Sequence, residues 1–410
     1  MNFSWKLWLA GGIFLFFPLA NFRLIPSLPL YGGELFLLVL LGLFFGEFLF
    51  RQEKFGHWTS FDKKIIVWLG VFMVGITAAF LFNHLPYHAL GLVKSFVLLP
   101  LLFAVLLRWS VSSLGEHEFV LSFWYSGLLA AAALAVVWVF SGDSTYDGRL
   151  SAWYDSPNQL AFLLGPGVLL GIYSGSRSTA PSFQKLFFFG IPLLGIFLLI
   201  TLTRSYGVMG AVFAAGFLLI SFLRKPVNQK LFILGIIGIL SCFIIWVAQE
   251  YSTEKFQSLL NLDERSSLSS RIMIWTVASR AAVENFPWGI GIGQFQSVYL
   301  SYQSYYRPYL EWAAPEPHNL FLAVLLAGGV TSLAAFVVCV WIGIKKALFL
   351  LKTESNRPLA ALYVSLVAYW LLAGVVDTPY FDNYPSLGWW GIFGLIWALY
   401  QGWESKKSTL

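Results

Sequence analysis

The sequence predicts an all-α polytopic membrane protein with about 12 transmembrane helices and one long outer loop that itself holds short helices. Three observations carry this. The 410-residue chain is 58% hydrophobic and only 11% charged, whereas soluble domains carry about 25% charged residues. Its apolar residues fall into runs close to the roughly 20 residues that a bilayer core requires. Its Lys and Arg residues are dense in alternate inter-run segments, which is the signature of cytoplasmic against external loops.

In chain order the expected spans are 7–22, 31–50, 64–82, 90–107, 119–140, 158–174, 186–203, 205–223, 230–249, 318–344, 358–376 and 386–403. The first follows Lys6 like a signal peptide, yet Pro18-Leu19-Ala20-Asn21 is a poor cleavage site, so an uncleaved helix is expected. Arg224-Lys225-Pro226 and Lys345-Lys346 read as membrane stops. Cys242 and Cys339 both fall inside spans, so neither a disulfide nor a thiolate metal site is indicated. No repeat of solenoid length is present, and residues 1–410 read as a single integral membrane domain.

With the N-terminus inside, 17 of the 26 Lys and Arg residues are cytoplasmic. The short outer segments keep Arg23, Lys94, Arg149 and Arg204, and the long loop 250–317 keeps Lys255, Arg265, Arg271, Arg280 and Arg307. Both termini are therefore expected inside and the loop outside. The formal charge of +6 is mostly this topology signal, so nucleic acid need not be invoked.

Within the loop, Ser269 or Ser270 is expected to N-cap a helix from Arg271 to about Asn285, closed by Pro287. Its apolar face is read as Ile272, Trp275, Ala278, Ala282 and Phe286. Arg271 and Arg280 are nine residues apart, which places them on opposite faces, so only one can point into a common site. Arg271, on the side of Trp275, is that one. Gly289-Ile290-Gly291-Ile292-Gly293 lacks the βαβ setting of a dinucleotide fingerprint. It reads as a turn bringing backbone close to a substrate. The run Tyr299, Tyr302, Tyr305, Tyr306, Tyr309 and Trp312 suits an interfacial belt, or stacking against sugar rings.

Charge and chemistry gather at the outer mouth. Arg204 lies in a hinge between two spans, where an external cation opposes both the topology bias and the positive end of the following helix. An anion bound between them relieves this; snorkelling to headgroup phosphates is the alternative. Arg149 is either a phosphate or sugar contact or a loop-ordering partner of Asp147 or Asp155. His318 follows the stiff Pro315-Glu316-Pro317 at the start of a span, where a helix N-terminus disfavours imidazolium and leaves the ring a proton acceptor. His84 and His88 are its rivals, in a short loop without an Arg cluster. Asp377 can orient His318, pair with an Arg, or cap the preceding span.

Four pieces, Leu202-Thr203-Arg204-Ser205, Ser270-Arg271 with Trp275, Gly291-Ile292-Gly293-Gln294-Phe295, and His318-Asn319, together resemble the O-antigen ligase family. Its relatives are the O-antigen polymerases and bacterial O-linked oligosaccharyltransferases. The resemblance implies transfer of a glycan from undecaprenyl diphosphate to an acceptor hydroxyl, on lipid A-core or another glycan, at the periplasmic face of the bacterial inner membrane. It implies no metal, cofactor or nucleotide. Donor, acceptor and membrane lipids are the expected partners, and the chain is expected to act as a monomer.

The family's hinge Arg, loop Arg and His fall on Arg204, Arg271 and His318. Arg149 and Arg265 are further cations expected at the diphosphate, with Asp377, Asn319 and Trp275 in support. The hinge departs from the family in reading Thr-Arg-Ser-Tyr-Gly where many relatives have Ser-Arg-Gly, which changes local backbone but not charge. The chain ends soon after its last span, against the oligosaccharyltransferase subclass. A polymerase would use the same Arg and His set; a single long outer loop favours ligation. A lipid-glycan transporter is the reading of another class, but transporters place charge at the membrane midplane, and here it clusters outside.

Overall fold

The computed structural model describes residues 4–16, 32–51, 59–86, 88–142, 144–223, 241, 244–253, 256–257, 266–302, 305, 311–378, 380 and 383–408. Among these residues the regular elements are all helices, the form that satisfies a membrane segment's backbone from within itself. They are α1 Trp5–Leu15, α2 Gly32–Arg51, α3 Ser60–Phe82, α4 His88–Val93, α5 Leu99–Ser110, α6 Leu114–Ser141, α7 Pro157–Arg177, α8 Ser182–Lys185, α9 Ile191–Leu202 and α10 Tyr206–Phe222. Then follow α11 Ser267–Glu284, α12 Phe295–Tyr302, α13 Leu320–Leu350, α14 Arg357–Val376 and α15 Asn383–Ser408. Single π turns join α4 to α5 and α8 to α9.

Seven helical stretches among the described residues are long and apolar enough to cross a membrane, and α1, α10 and part of α2 are shorter apolar helices. The protein is thus a polytopic helical membrane protein. The expected runs fall on helices where they are described; 17–22 and most of 230–249 lie outside the described residues. Among the described residues seven helices meet the length and apolarity of a span, which does not confirm the figure of twelve.

Helix starts are written in polar side chains. Thr59 with Asp62, Ser113 with Glu116, and Ser156 with Gln159 form reciprocal capping boxes on α3, α6 and α7, each stabilising its helix by about 1 kcal/mol. Asp62 also accepts from Arg108 Nε and Nη2 (3.0 and 3.2 Å) and from Gln401 Nε2 (3.0 Å). That pairing ties α3, α5 and α15 together at one end of the bundle.

At the other end of α3 a different device operates. Helix α13 is broken at Gly328 and Gly329, which leave helical geometry. Into the break fits the turn after α11. Ile290 and Gly291 N–H donate to the Leu326 carbonyl (2.8 and 2.9 Å), and Val330 N–H donates to the Pro287 carbonyl (3.0 Å). Asn83, just after α3, donates to the Gly289 carbonyl (3.1 Å). Gly329, at φ +67°, has the Pro287 carbonyl where a Cβ would stand. The glycine turn thus brings its backbone against a membrane helix, because the orphan groups of a broken helix must find partners.

Helix α13 packs along α3 and α14, α14 along α10, and α7 against α9, α10 and α14. The start of α7, the α9–α10 hinge, the start of α13 and the end of α14 meet at one mouth of the bundle.

Candidate active site at one mouth of the bundle

Helix α11 starts a turn earlier than expected. Ser266 is its N-cap and accepts from Ser269 N–H (3.0 Å), while Ser269 Oγ accepts from Ser266 N–H (2.8 Å). Its buried face is Ser269, Ser270, Met273, Ile274, Val277, Ala278 and Ala281. Ile272 and Phe286, read from the sequence on the face set against the membrane mouth or the bundle, are not buried in the bundle. Two buried serines lead this face, so apolar periodicity alone misphased it. Arg271 and Arg280 nevertheless part company. Arg280 pairs with Glu284 (2.8 Å) beneath Tyr302 and Tyr305, while Arg271 turns to the bundle.

There Arg271 Nη2 lies 3.6 Å from Asp377 Oδ2. Asp377, the residue ending α14, accepts from His318 Nδ1 (2.8 Å) on Oδ1. Of the sequence alternatives for Asp377, orienting the His and pairing with an Arg both hold. Thr378 N–H adds a bond to Oδ1 (2.8 Å). Asn158, in the first turn of α7, donates Nδ2–H to Oδ2 (2.8 Å). Burial pushes the Asp377 carboxyl up, but His318, Arg271 and the Thr378 N–H outweigh it and hold the pKa at about 2. Asp377 is therefore ionised at any ordinary pH.

His318 stands at φ +46°, outside the helix. Asn319 is the cap of α13, accepting from Phe321 and Leu322 N–H (3.0 and 3.1 Å) and donating to the Val375 carbonyl (2.8 Å). Trp275 Nε1–H donates to the His318 carbonyl (3.0 Å). Backbone and ring are thus held from three helices. With Nδ1–H given to Asp377, Nε2 is the accepting nitrogen of the neutral ring, and the side chain is 32% open to its surroundings.

Arg204 has φ +47°. Left-handed backbone at a non-glycine residue costs about 1–3 kcal/mol and clusters at functional sites. Among the described residues only His84, Ala152, Arg204 and His318 show it. Beside Arg204, the Thr203 carbonyl accepts from Arg149 Nε (2.7 Å), and Leu150 N–H donates to the Leu202 carbonyl (3.0 Å). Arg149 Nη2 donates to Asn158 Oδ1 (2.8 Å), and Asp147 sits 3.7 Å from Nη1. Burial lowers the Arg149 pKa, Asp147 opposes this, and the charge of Arg271 lowers it further. The two guanidinium groups are close enough to repel.

The structure thus brings together Arg149, Arg271, Trp275, His318, Asn319 and Asp377, and holds the Arg204 hinge next to them through the Thr203 carbonyl on Arg149. Arg265 lies outside the described residues. Of the rival histidines, His84 sits in the turn after α3 and His88 begins α4. Asn158 went unread, since a polar residue after Pro157 looks only like a helix start. Three buried polar atoms, Arg271 Nε, Ser270 Oγ and Thr378 Oγ1, lack a hydrogen-bond partner among the described residues. A cavity of about 280 Å³, lined by Leu92, Phe96, Ile290, Gly293 and Pro315, reaches Pro317 beside His318. Among the described residues no cluster of His, Cys, Asp or Glu is built to hold a metal.

Fold and site define a multi-pass membrane protein whose cations, carboxylate and imidazole converge at one mouth. Residues 189–337, from the π turn before α9 through His318 into α13, match the Wzy_C family model, described as O-antigen ligase. The match covers about a third of the chain; it supports an O-antigen ligase family assignment and, in general terms, a glycan-transferring membrane enzyme of the ligase or polymerase type. The matched segment holds Arg204, Arg271, Trp275, His318 and Asn319; Arg149, Asn158 and Asp377 lie outside it. No curated protein matches the chain.

The two faces of α11 give a direct comparison. Arg271→Lys is expected to lower glycan transfer by at least about tenfold, since a lost charged hydrogen bond is worth about 1.5 kcal/mol or more. Arg280→Ala should stay within about twofold, and equal losses in a purified transfer assay would overturn the distinction.

Proposed function

We propose that this protein transfers a glycan from undecaprenyl diphosphate to an acceptor hydroxyl at the periplasmic face of the bacterial inner membrane, most specifically in ligation to lipid A-core. The observation that carries the reading is one ionised carboxylate, Asp377, shared between His318 at 2.8 Å and Arg271 at 3.6 Å. Beside it lies a second cation, Arg149.

In this reading His318 Nε2 takes the acceptor hydroxyl's proton as its oxygen attacks the donor's anomeric carbon. A bond to that oxygen forms and the bond to diphosphate breaks, with inversion at the carbon. Asp377 stabilises the imidazolium that results, as a carboxylate does behind a catalytic histidine. Arg271 and Arg204 carry the departing diphosphate, whose paired oxygens suit guanidinium forks. The donor already has a good leaving group, so charge stabilisation and a placed base are the main demands. The unpartnered Arg271 Nε and Thr378 Oγ1 supply donors where phosphate or sugar oxygens would lie.

The test is removal of the gene followed by analysis of lipopolysaccharide. Loss of polymer from lipid A-core with accumulation of lipid-linked chains supports ligation. Single repeat units left on the core identify polymerisation instead, and unchanged lipopolysaccharide overturns both.

A further inference from the structure

We infer that Asn158 is a positioning residue of this site, and that with Arg149 it locks the Asp377 carboxylate in the orientation that serves His318. The inference rests on the reading of His318 as the base. It starts from hydrogen-bond polarity along a chain of four side chains. Arg149 can only donate, and it does so to Asn158 Oδ1 (2.8 Å). Asp377, ionised, can only accept, and it takes Asn158 Nδ2–H on Oδ2 (2.8 Å). An amide is the side chain that can accept at one end and donate at the other with fixed geometry. A carboxylate at 158 would face Asp377 with like charge. A leucine would satisfy neither neighbour.

The neighbours also settle which way the amide points. With Arg149 as the donor on one side, the oxygen must face it, so the NH₂ must face Asp377. That bond occupies Oδ2 and leaves Oδ1 directed at His318 Nδ1 and Thr378 N–H. Arg149 is anchored in turn by the Thr203 carbonyl at the end of α9 (2.7 Å) and by Asp147 (3.7 Å). Three of its nitrogens therefore face protein groups, which assigns it to ordering the site rather than to phosphate contact. The chain from Thr203 through Arg149, Asn158 and Asp377 to His318 joins the hinge of Arg204 to the base. The geometry of the cation that meets the leaving group is thereby tied to that of the group that takes the proton.

The test uses the full-length purified enzyme with defined lipid-linked donor and acceptor. Asn158→Ala should lower kcat by roughly 10- to 100-fold, the range typical when a supporting hydrogen-bond partner is removed, with donor binding within about twofold. Asn158→Asp keeps the bond from Arg149 and adds a negative charge beside Asp377 and His318. It should move the acid limb of the rate–pH profile to higher pH, because the added charge favours the protonated ring. Arg149→Gln should share the kcat defect while retaining donor binding.

A donor-binding loss that accounts for the whole defect in Asn158→Ala or Arg149→Gln would overturn the assignment. So would an acid limb in Asn158→Asp at the parental pH. If His318→Ala is inactive while Asn158→Ala turns over normally, this inference fails alone; if His318→Ala is active, the reading of the base fails first.

Discussion

His318→Ala is expected to reduce transfer by roughly 10²–10⁴-fold, the contribution typical of a positioned general base, with lipid-linked donor still bound. The separation follows from the geometry. Removing the ring leaves Arg271, Asp377 and Arg204 in place, and the His318 backbone stays held by Trp275 Nε1 (3.0 Å) and by the Asn319 cap next to it. His84→Ala, in the turn after α3, should retain most activity. The measurement is single-turnover transfer by purified enzyme together with donor binding. Near-parental turnover would remove His318 from the mechanism, and lost donor binding would recast it as a phosphate ligand.

Asp377→Asn should be about as damaging, by about 10³–10⁴-fold if it acts as the comparable change behind a catalytic histidine does. Three neighbours donate to Asp377, namely His318 Nδ1, Thr378 N–H and Asn158 Nδ2, and Arg271 Nη2 faces it as an ion pair at 3.6 Å. An amide can offer an acceptor on one side only. Turned one way it sets NH₂ against Asn158 and Arg271; turned the other, against Thr378 N–H and His318, which must then present the opposite tautomer. Either arrangement misplaces the base.

The pH signature has a definite sign. The folded pKa of about 2 lies below the ordinary 3.8. The stability contributed by this ionisation is therefore fully present above about pH 4 and is lost as pH falls through about 2. Activity measured above pH 4 should show no limb from Asp377. An Asp377→Asn enzyme within tenfold of the parent would refute the role assigned to it.

The membrane architecture was legible because each span must bury a long apolar run, and that requirement is local. That Arg271, His318 and Asp377 would have partners was legible for a related reason: charge or imidazole at a helix end is costly without a partner, so its presence asks for one. Three features were not. The phase of α11 was misread because Ser269 and Ser270 are buried and the cap is Ser266. The destination of the glycine turn depends on Gly328 and Gly329, which in the sequence interrupt an apolar run without ending it. Asn158 carries no charge, and its role depends on partners 9 and 219 positions away in the chain.

The break in α13 also bears on how the molecule is made. Helix α11 and the turn at 287–293 leave the ribosome before α13, yet the turn's hydrogen bonds close only on Leu326 and Val330. The turn therefore has no partner for these groups until α13 has been made. Asp377 comes later still, at the end of α14. A nascent chain that stops short of it carries the arginines and the imidazole but not the carboxylate that joins them.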